Sequence, residues 1–237
     1  MQKHNELIDQ LQQVKNDQQI KDFIINFIDI LGLDYFLLGI SFPLSIIKSD
    51  IFTIDNYPEG WQKIYEEQQL IQTDPVVNYC AKNHSPIFWD QVDSEQVKII
   101  KEALFSAPQA GFTVPLHGSM GAFGMFSLST SSEDDTSKKV LSHALTVTQL
   151  IIPALQDAII RVRKSQKKQK VQLTTREIEC LTWATEGKSA WEISKILGCS
   201  ERTITFHLKN ATVKLNCANR YQAIGKAIIT GVISPKL

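Results

Sequence analysis

The chain has 237 residues, 43% of them hydrophobic and 21% charged, with 25 Lys+Arg against 25 Asp+Glu. That length supports two modest domains with real cores, and the composition excludes a disordered polyelectrolyte and a disulfide-stapled miniature fold. The zero net charge hides an asymmetry: residues 161–237 hold 15 Lys+Arg against 5 acids, a net +10, and residues 1–160 hold 10 against 20, a net −10. A basic end on an acidic body points to a polyanion partner for that end alone.

The N-terminal segment Met1–Glu6 is polar and has no signal-peptide core, and no apolar run approaches membrane-spanning length. Residues 5–14 read as a short amphipathic helix, with Leu7, Ile8, Leu11 and Val14 on one side. Residues 18–31 repeat the pattern, and Gly32 ends that helix. Asp34 to Phe42 is short, apolar and aromatic, which reads as a buried strand, with Ser49 to Ile54 as its hairpin partner. Pro58 suits the first turn of a helix, on which Tyr57, Trp61 and Tyr65 fall at i, i+4, i+8 along one face. Asp74 before Pro75 can cap the next helix or turn inward to accept a hydrogen bond. Trp89 follows Pro86-Ile87-Phe88. Gly111–Leu116 and Gly121–Thr130 read as two further strands, joined by the turn His117-Gly118-Ser119-Met120-Gly121. On the second of them Ser127 and Ser129 alternate with Phe126, Leu128 and Thr130, so one face is polar in an otherwise apolar sheet.

Val140–Arg163 reads as a long helix of roughly 35 Å, which Pro153 should kink or break. Arg161 to Gln172 carries six cations and two apolar residues, so it reads as a linker. The four cysteines, Cys80, Cys180, Cys199 and Cys217, lack metal-ligand spacing and read as reduced residues of a cytoplasmic protein.

The stretch Leu173–Ile233 reads as four helices with a helix-turn-helix in the middle. Thr174 or Thr175 caps the first helix, Gly187 stops it, Ser189 caps the second, and Gly198-Cys199-Ser200 is the tight turn before the third. On that third helix Ile204, Leu208, Ala211 and Leu215 face inward, while Arg202, Thr205, Phe206, Lys209 and Thr212 form the other face. A face of cations and hydroxyls suits the DNA major groove, its N-terminal half toward the base edges.

These residues carry a resemblance. Leu173-Thr174-Thr175-Arg176-Glu177, Gly187-Lys188, Glu192-Ile193, Ser200-Glu201-Arg202-Thr203-Ile204, Phe206-His207, Asn210-Ala211, Lys214-Leu215 and Asn219-Arg220-Tyr221-Gln222-Ala223 resemble the DNA-binding domain of LuxR-type regulators. The resemblance implies base contacts from Thr205, Phe206 and Lys209, and phosphate contacts near Thr174, Ser200, Arg202 and Thr203. Tyr57, Trp61, Tyr65, Asp74-Pro75, Trp89, Gly111 and Pro115-Leu116-His117-Gly118 are similar to the autoinducer-binding domain of the same family. Read without the resemblance, these residues are core packing, with their polar tips satisfied locally and Asp74 an ordinary cap. With it, Trp61 donates to the lactone carbonyl of an N-acyl-homoserine lactone and Asp74 accepts from the ligand amide N–H. Tyr57 and Ser127 donate to the amide carbonyl, while Tyr65, Trp89 and apolar residues wall the ligand.

The expected fold is α+β: an N-terminal α/β/α sandwich around an antiparallel sheet, then an all-α four-helix domain with a helix-turn-helix. The expected domains are 1–163 for autoinducer binding and dimerisation, 164–172 for the linker, and 173–237 for DNA binding. The expected function is a quorum-sensing transcription factor, an activator that binds a lactone and, as a homodimer, an inverted-repeat promoter site. Its partners are DNA, the lactone and RNA polymerase, with no membrane, no cofactor and no metal. An enzyme is disfavoured, since no metal cluster, Gly-x-Ser-x-Gly elbow or phosphate loop is present. The alternative is an orphan regulator of the same type that answers to another small molecule or acts without ligand.

Overall fold

The computed structural model describes residues 2–45, 47–67, 71, 73–92, 109–118, 121–166 and 172–234. They form two compact units. The first comprises residues 1–41, 51–118 and 122–167, and the second comprises 168–237 with the short segments 42–50 and 119–121.

Helices α1 (Gln2–Gln13) and α2 (Asp17–Leu31) precede a five-stranded sheet. Asn16 caps α2 through its side chain, and Gly32 closes it at φ 69°, a left-handed turn that glycine adopts at no steric cost. The strands are β1 (Tyr35–Ser45), β2 (Lys48–Asp55), β3 (Ile87–Phe88), β4 (Ala110–His117) and β5 (Phe123–Thr130), in the order β2-β1-β5-β4-β3. The pairings of β1 with β5, β5 with β4, and β4 with β3 are antiparallel. Of the turn before β5, Ser119 and Met120 lie outside the described residues.

Alternation along the strands gives the sheet two different faces. Phe36, Leu38, Phe112, Leu116, Phe126 and Leu128 are buried on one, the apolar core. The opposite face sets Leu37 beside Ser127 and Tyr35 beside Ser129 across β1 and β5, and Thr113 beside Ser127 across β4 and β5. This second face carries the hydroxyls. Helices α3 (Trp61–Glu67) and α4 (Pro75–Lys82) belong to this region of the chain.

Helix α5 (Asp135–Gln166) runs 32 residues and is continuous through Pro153, so the proline does not break it. Leu141, Ala144, Ile151, Leu155, Ala158 and Ile159 are buried along it, so packing on the unit outweighs the hydrogen bond that Pro153 cannot donate. The helix also contains an 18-residue stretch of mean hydropathy 1.3, longer in apolar reach than the sequence pattern suggested. Arg161 near its end donates to the carbonyls of Leu11 (2.7 Å) and Val14 (3.3 Å), which satisfies the C-terminus of α1. The helix continues three residues past Arg163, and residues 167–171 of the expected linker lie outside the described residues.

The second unit is built from α6 (Thr175–Thr185), α7 (Ala190–Leu197), α8 (Glu201–Lys214) and α9 (Arg220–Ile229). Thr174 and Ser189 each close a capping box, with Glu177 and Glu192 reaching back to the cap N–H. Gly198 at φ 66° ends α7, and Ser200 caps α8 by accepting from Thr203 N. Cys180, Leu181, Ile193, Ile204, Leu208, Ala211, Leu215 and Ala223 form the core between the four helices.

Candidate functional site

The polar face of the sheet gathers most of the residues singled out from the sequence. Tyr57, Trp61 and Tyr65 are in line, with ring centroids 5.1 Å and 5.6 Å apart in edge-on contacts, and Tyr35 extends the row at 6.0 Å from Tyr57. Trp61 packs on Leu37, with Met125 beside them. The row is not one helical face, as the spacing predicted. Helix α3 starts at Trp61, because Gly60 sits at φ 88°, outside the helical region, and Asp55 Oδ1 accepts from Tyr57 N at 3.0 Å. Tyr57 and Pro58 therefore stand in the turn before the helix.

Asp74 does both things the sequence allowed, with different oxygens. Its Oδ1 caps α4, accepting from Val76 N (2.8 Å) and Val77 N (3.4 Å), with Pro75 at the first helical position. Its Oδ2 accepts from the Tyr65 hydroxyl at 2.7 Å. Asp74 is 6% exposed, and burial raises its pKa above the ordinary carboxylate value despite the bonds from Tyr65, Val76 and Val77 that favour the charge. Burial, then the Asp74 charge, drives the Tyr65 hydroxyl far above its usual pKa, so it serves as a fixed donor. Cys80 on α4 is pushed up to about 12 by burial and by Asp74, which leaves an inert thiol rather than a nucleophile.

Trp89 and Ser127 meet through a residue the sequence reading passed over. The Trp89 indole donates to Thr113 Oγ1 (2.9 Å), which shares a hydrogen bond of 2.8 Å with Ser127 Oγ. Gly111 makes room for Trp89: a Cβ there would lie 2.7 Å from Leu128 O and 3.0 Å from the indole edge. Ser129 Oγ is fully buried and, among the described residues, has no well-formed hydrogen bond. The hydroxyl of half-buried Tyr57 lies near Ser129. Burial raises its pKa strongly, and nearby Ser129 offsets a part of the rise without completing a well-formed bond. An orphaned buried hydroxyl costs free energy unless something else bonds it.

The Trp61 indole has a partner within the chain. Its indole N–H, assigned by resemblance to a ligand carbonyl, donates to Asp55 Oδ1 at 2.8 Å. The other Asp55 oxygen accepts from Gln62 Nε2 at 2.8 Å. Asp55 closes a strand and precedes a turn, where an aspartate is ordinary, so nothing local in the sequence marks it. Thr113 and Ser129 become visible only through strand register.

In the second unit the expected reading face is open. Arg202, Thr205, Phe206 and Lys209 are exposed on α8, and Phe206 is 59% exposed. Thr205 Oγ1 donates to Glu201 O (3.0 Å), so its lone pairs are left to accept. Thr174 Oγ1 accepts from Glu177 N and keeps its proton, while Ser200 and Thr203 share one hydrogen bond of 2.8 Å between hydroxyls. Lys214 is spent inside the unit, on Glu177 Oε2 at 2.8 Å. Among the described residues no group of three or more His, Cys, Asp or Glu could hold a metal ion.

Comparison with known proteins finds a match for each part of the chain. The family model "Autoinducer binding domain" matches residues 16–159, and the model "Bacterial regulatory proteins, luxR family" matches residues 171–227. The chain is 43% identical to the transcriptional activator protein LuxR of Aliivibrio fischeri strain ES114 over 98% of this chain and 94% of that one. It is 40% identical to the transcriptional activator protein VanR of Vibrio anguillarum, over 98% of each. Among solved structures it resembles SdiA in complex with octanoyl-rac-glycerol, with a TM-score of 0.83 and 26% identity over 99% of this chain and 96% of that one.

Proposed function

This chain belongs to the LuxR family of quorum-sensing transcriptional regulators, and from that premise we propose that it binds an N-acyl-homoserine lactone and, as a homodimer, activates transcription from an inverted-repeat promoter site. A ligand-responsive regulator with an autoinducer-binding domain and a helix-turn-helix is the common ground of the family. The ligand, the dimer and the contact with RNA polymerase are the proposal.

The observation that carries it is the polar set on the Tyr57–Trp61–Tyr65 wall. Among the described residues, Asp74 Oδ2 is a buried acceptor with one donor, Tyr65. The Tyr57 hydroxyl and the orphaned Ser129 Oγ lie near one another. A lactone head offers one amide N–H and several carbonyls, which is the complement of one strong acceptor and several hydroxyls. Asp74 accepts the amide N–H, and Tyr57 with Ser129 bonds the amide carbonyl. Ser127, tied to Thr113, supports Trp89 as part of the wall. The acyl chain adds about 0.8 kcal/mol per buried CH₂. The test is mass spectrometry of organic extracts from protein purified with and without added lactone. Retention of the lactone in stoichiometric amount supports the reading, and recovery of a different acylated molecule sinks it.

That second outcome corresponds to another reading, a ligand whose head has hydroxyls in place of a lactone ring. The bond of Trp61 to Asp55 favours it, because it occupies a donor that a ring carbonyl would use.

Domain roles follow the same premise: residues 1–163 bind ligand and dimerise, 164–172 link, and 173–237 bind DNA. For dimerisation we assign α5, whose Leu150 is 57% exposed. Sedimentation at micromolar protein with lactone and DNA present is expected to give a dimer. Thr205, Phe206 and Lys209 read bases, with Thr174, Ser200, Arg202 and Thr203 on phosphates. Lys209→Ala is expected to weaken operator binding by about 1–3 kcal/mol and to leave random DNA nearly unaffected. Equal loss on both in a gel-shift titration would place Lys209 on phosphate alone.

A further inference from the structure

Asp55 stands at the end of β2, outside the set of groups assigned to the ligand, yet it controls two of them. Its carboxylate collects three donors: Tyr57 N (3.0 Å) and Trp61 Nε1 (2.8 Å) on Oδ1, and Gln62 Nε2 (2.8 Å) on Oδ2. The indole of Trp61 has a single N–H and no acceptor. It can serve Asp55 or a ligand carbonyl, and cannot serve both well. A carboxylate is the stronger acceptor of the two.

We propose that Asp55 is a specificity-determining residue that competes with the ligand's ring carbonyl for the Trp61 indole N–H. The proposal rests on the lactone reading given above. Asp55 can release the indole without being stranded, because Tyr57 N–H and the Gln62 amide remain on it. The exchange returns little net free energy, since one good hydrogen bond replaces another. The ring carbonyl therefore adds little to affinity while Asp55 is present, and recognition is thrown onto the acyl-amide, through Asp74, Tyr57 and Ser129. A site arranged in this way tolerates changes in the head ring and discriminates by the amide and the chain.

The experiment compares an N-acyl-homoserine lactone with the matching N-acyl cyclopentylamide, whose ring lacks the carbonyl. Half-saturating concentrations come from ligand titrations of the melting temperature of the full chain. The wild type is expected to bind the two within about threefold of each other. Asp55→Asn keeps an oxygen for Tyr57 N–H but is a weaker, neutral competitor. It is expected to tighten the lactone by about three- to tenfold and to leave the cyclopentylamide within about twofold. In a Trp61→Phe background the same change should do nothing to either compound. A second variant covers poor folding of Asp55→Asn: Trp61→Phe alone should cost the lactone less than about threefold. The proposal is overturned if Asp55→Asn weakens both compounds alike, which would make Asp55 only the support of the turn. It is also overturned if Trp61→Phe costs the lactone tenfold or more while sparing the cyclopentylamide, because the indole would then be fully engaged by the ligand. If the wild type responds to neither compound, the lactone reading itself fails and the competitor role falls with it. If both bind and only the ratio refuses to move, the lactone reading stands alone.

Discussion

Glu177→Ala is expected to destabilise the C-terminal unit by about 2–4 kcal/mol and to loosen the DNA-reading helix with it. Glu177 is 2% exposed, and its Oε2 accepts from both Thr174 N and Lys214 Nζ at 2.8 Å. One carboxylate thus caps the start of α6 and holds the last turn of α8. Burial alone would raise its pKa, but the bonds from Lys214 and Thr174 outweigh burial and hold it below the usual glutamate value. A depressed carboxylate adds stability above its unfolded pKa, and that stability is lost as pH falls through the folded one. The alanine variant should therefore differ from wild type most at neutral pH and converge with it in acid. Lys214 is 39% exposed and can turn to water, so the cost falls below that of a fully buried broken pair. Hydrogen–deuterium exchange across residues 174–215 checks this. Unchanged protection of α6 and α8 in the variant would show that the capping box and the ion pair are incidental.

The helix-turn-helix was legible in the sequence because its instructions are local. Thr174, Ser189 and Ser200 are caps within three residues of the N–H groups they satisfy, and Gly198 supplies the left-handed turn. The same holds for Asp74 beside Pro75. The sheet was legible strand by strand, except for β3, which is too short at two residues to show a period. What could not be read was which group bonds which across the sheet. Register decides that Thr113 meets Ser127 and that Ser129 is the hydroxyl left over. Helical spacing over Tyr57, Trp61 and Tyr65 placed the three residues together for the wrong reason. Gly60 and Asp55 hold Tyr57 in a turn, and the rings meet there nonetheless. Asp55 was missed altogether, since its partners are donors that look free in a sequence.

The largest effect on ligand response is expected from Asp74→Asn. Asparagine can keep its carbonyl oxygen toward Val76 N and Val77 N, so the cap on α4 survives. The second position, where Oδ2 accepts from Tyr65, then carries an amide N–H₂, which faces the ligand N–H with a donor. The charge-assisted acceptor is lost while the fold is retained, which separates the two roles of Asp74. Ligand bound only to the folded state stabilises it by about 2.7 kcal/mol at a hundredfold excess over Kd, and most of that is expected to vanish in Asp74→Asn. Trp61→Phe should retain more of it, because the indole N–H is held by Asp55. The raised pKa of Asp74 adds a pH signature. Above its ordinary value of 3.8 and below its folded value, the folded state binds more protons than the unfolded one, so stability without lactone falls as pH rises through that window. An amide N–H donated to the carboxylate favours the charged form, so binding releases a proton there and weakens as pH falls. Melting temperatures of wild type and both variants across a lactone titration, at a series of pH values rising from the ordinary carboxylate value, test all three statements. An undiminished ligand-induced shift in Asp74→Asn would leave Asp74 as a helix cap alone and remove the acceptor on which the ligand assignment depends.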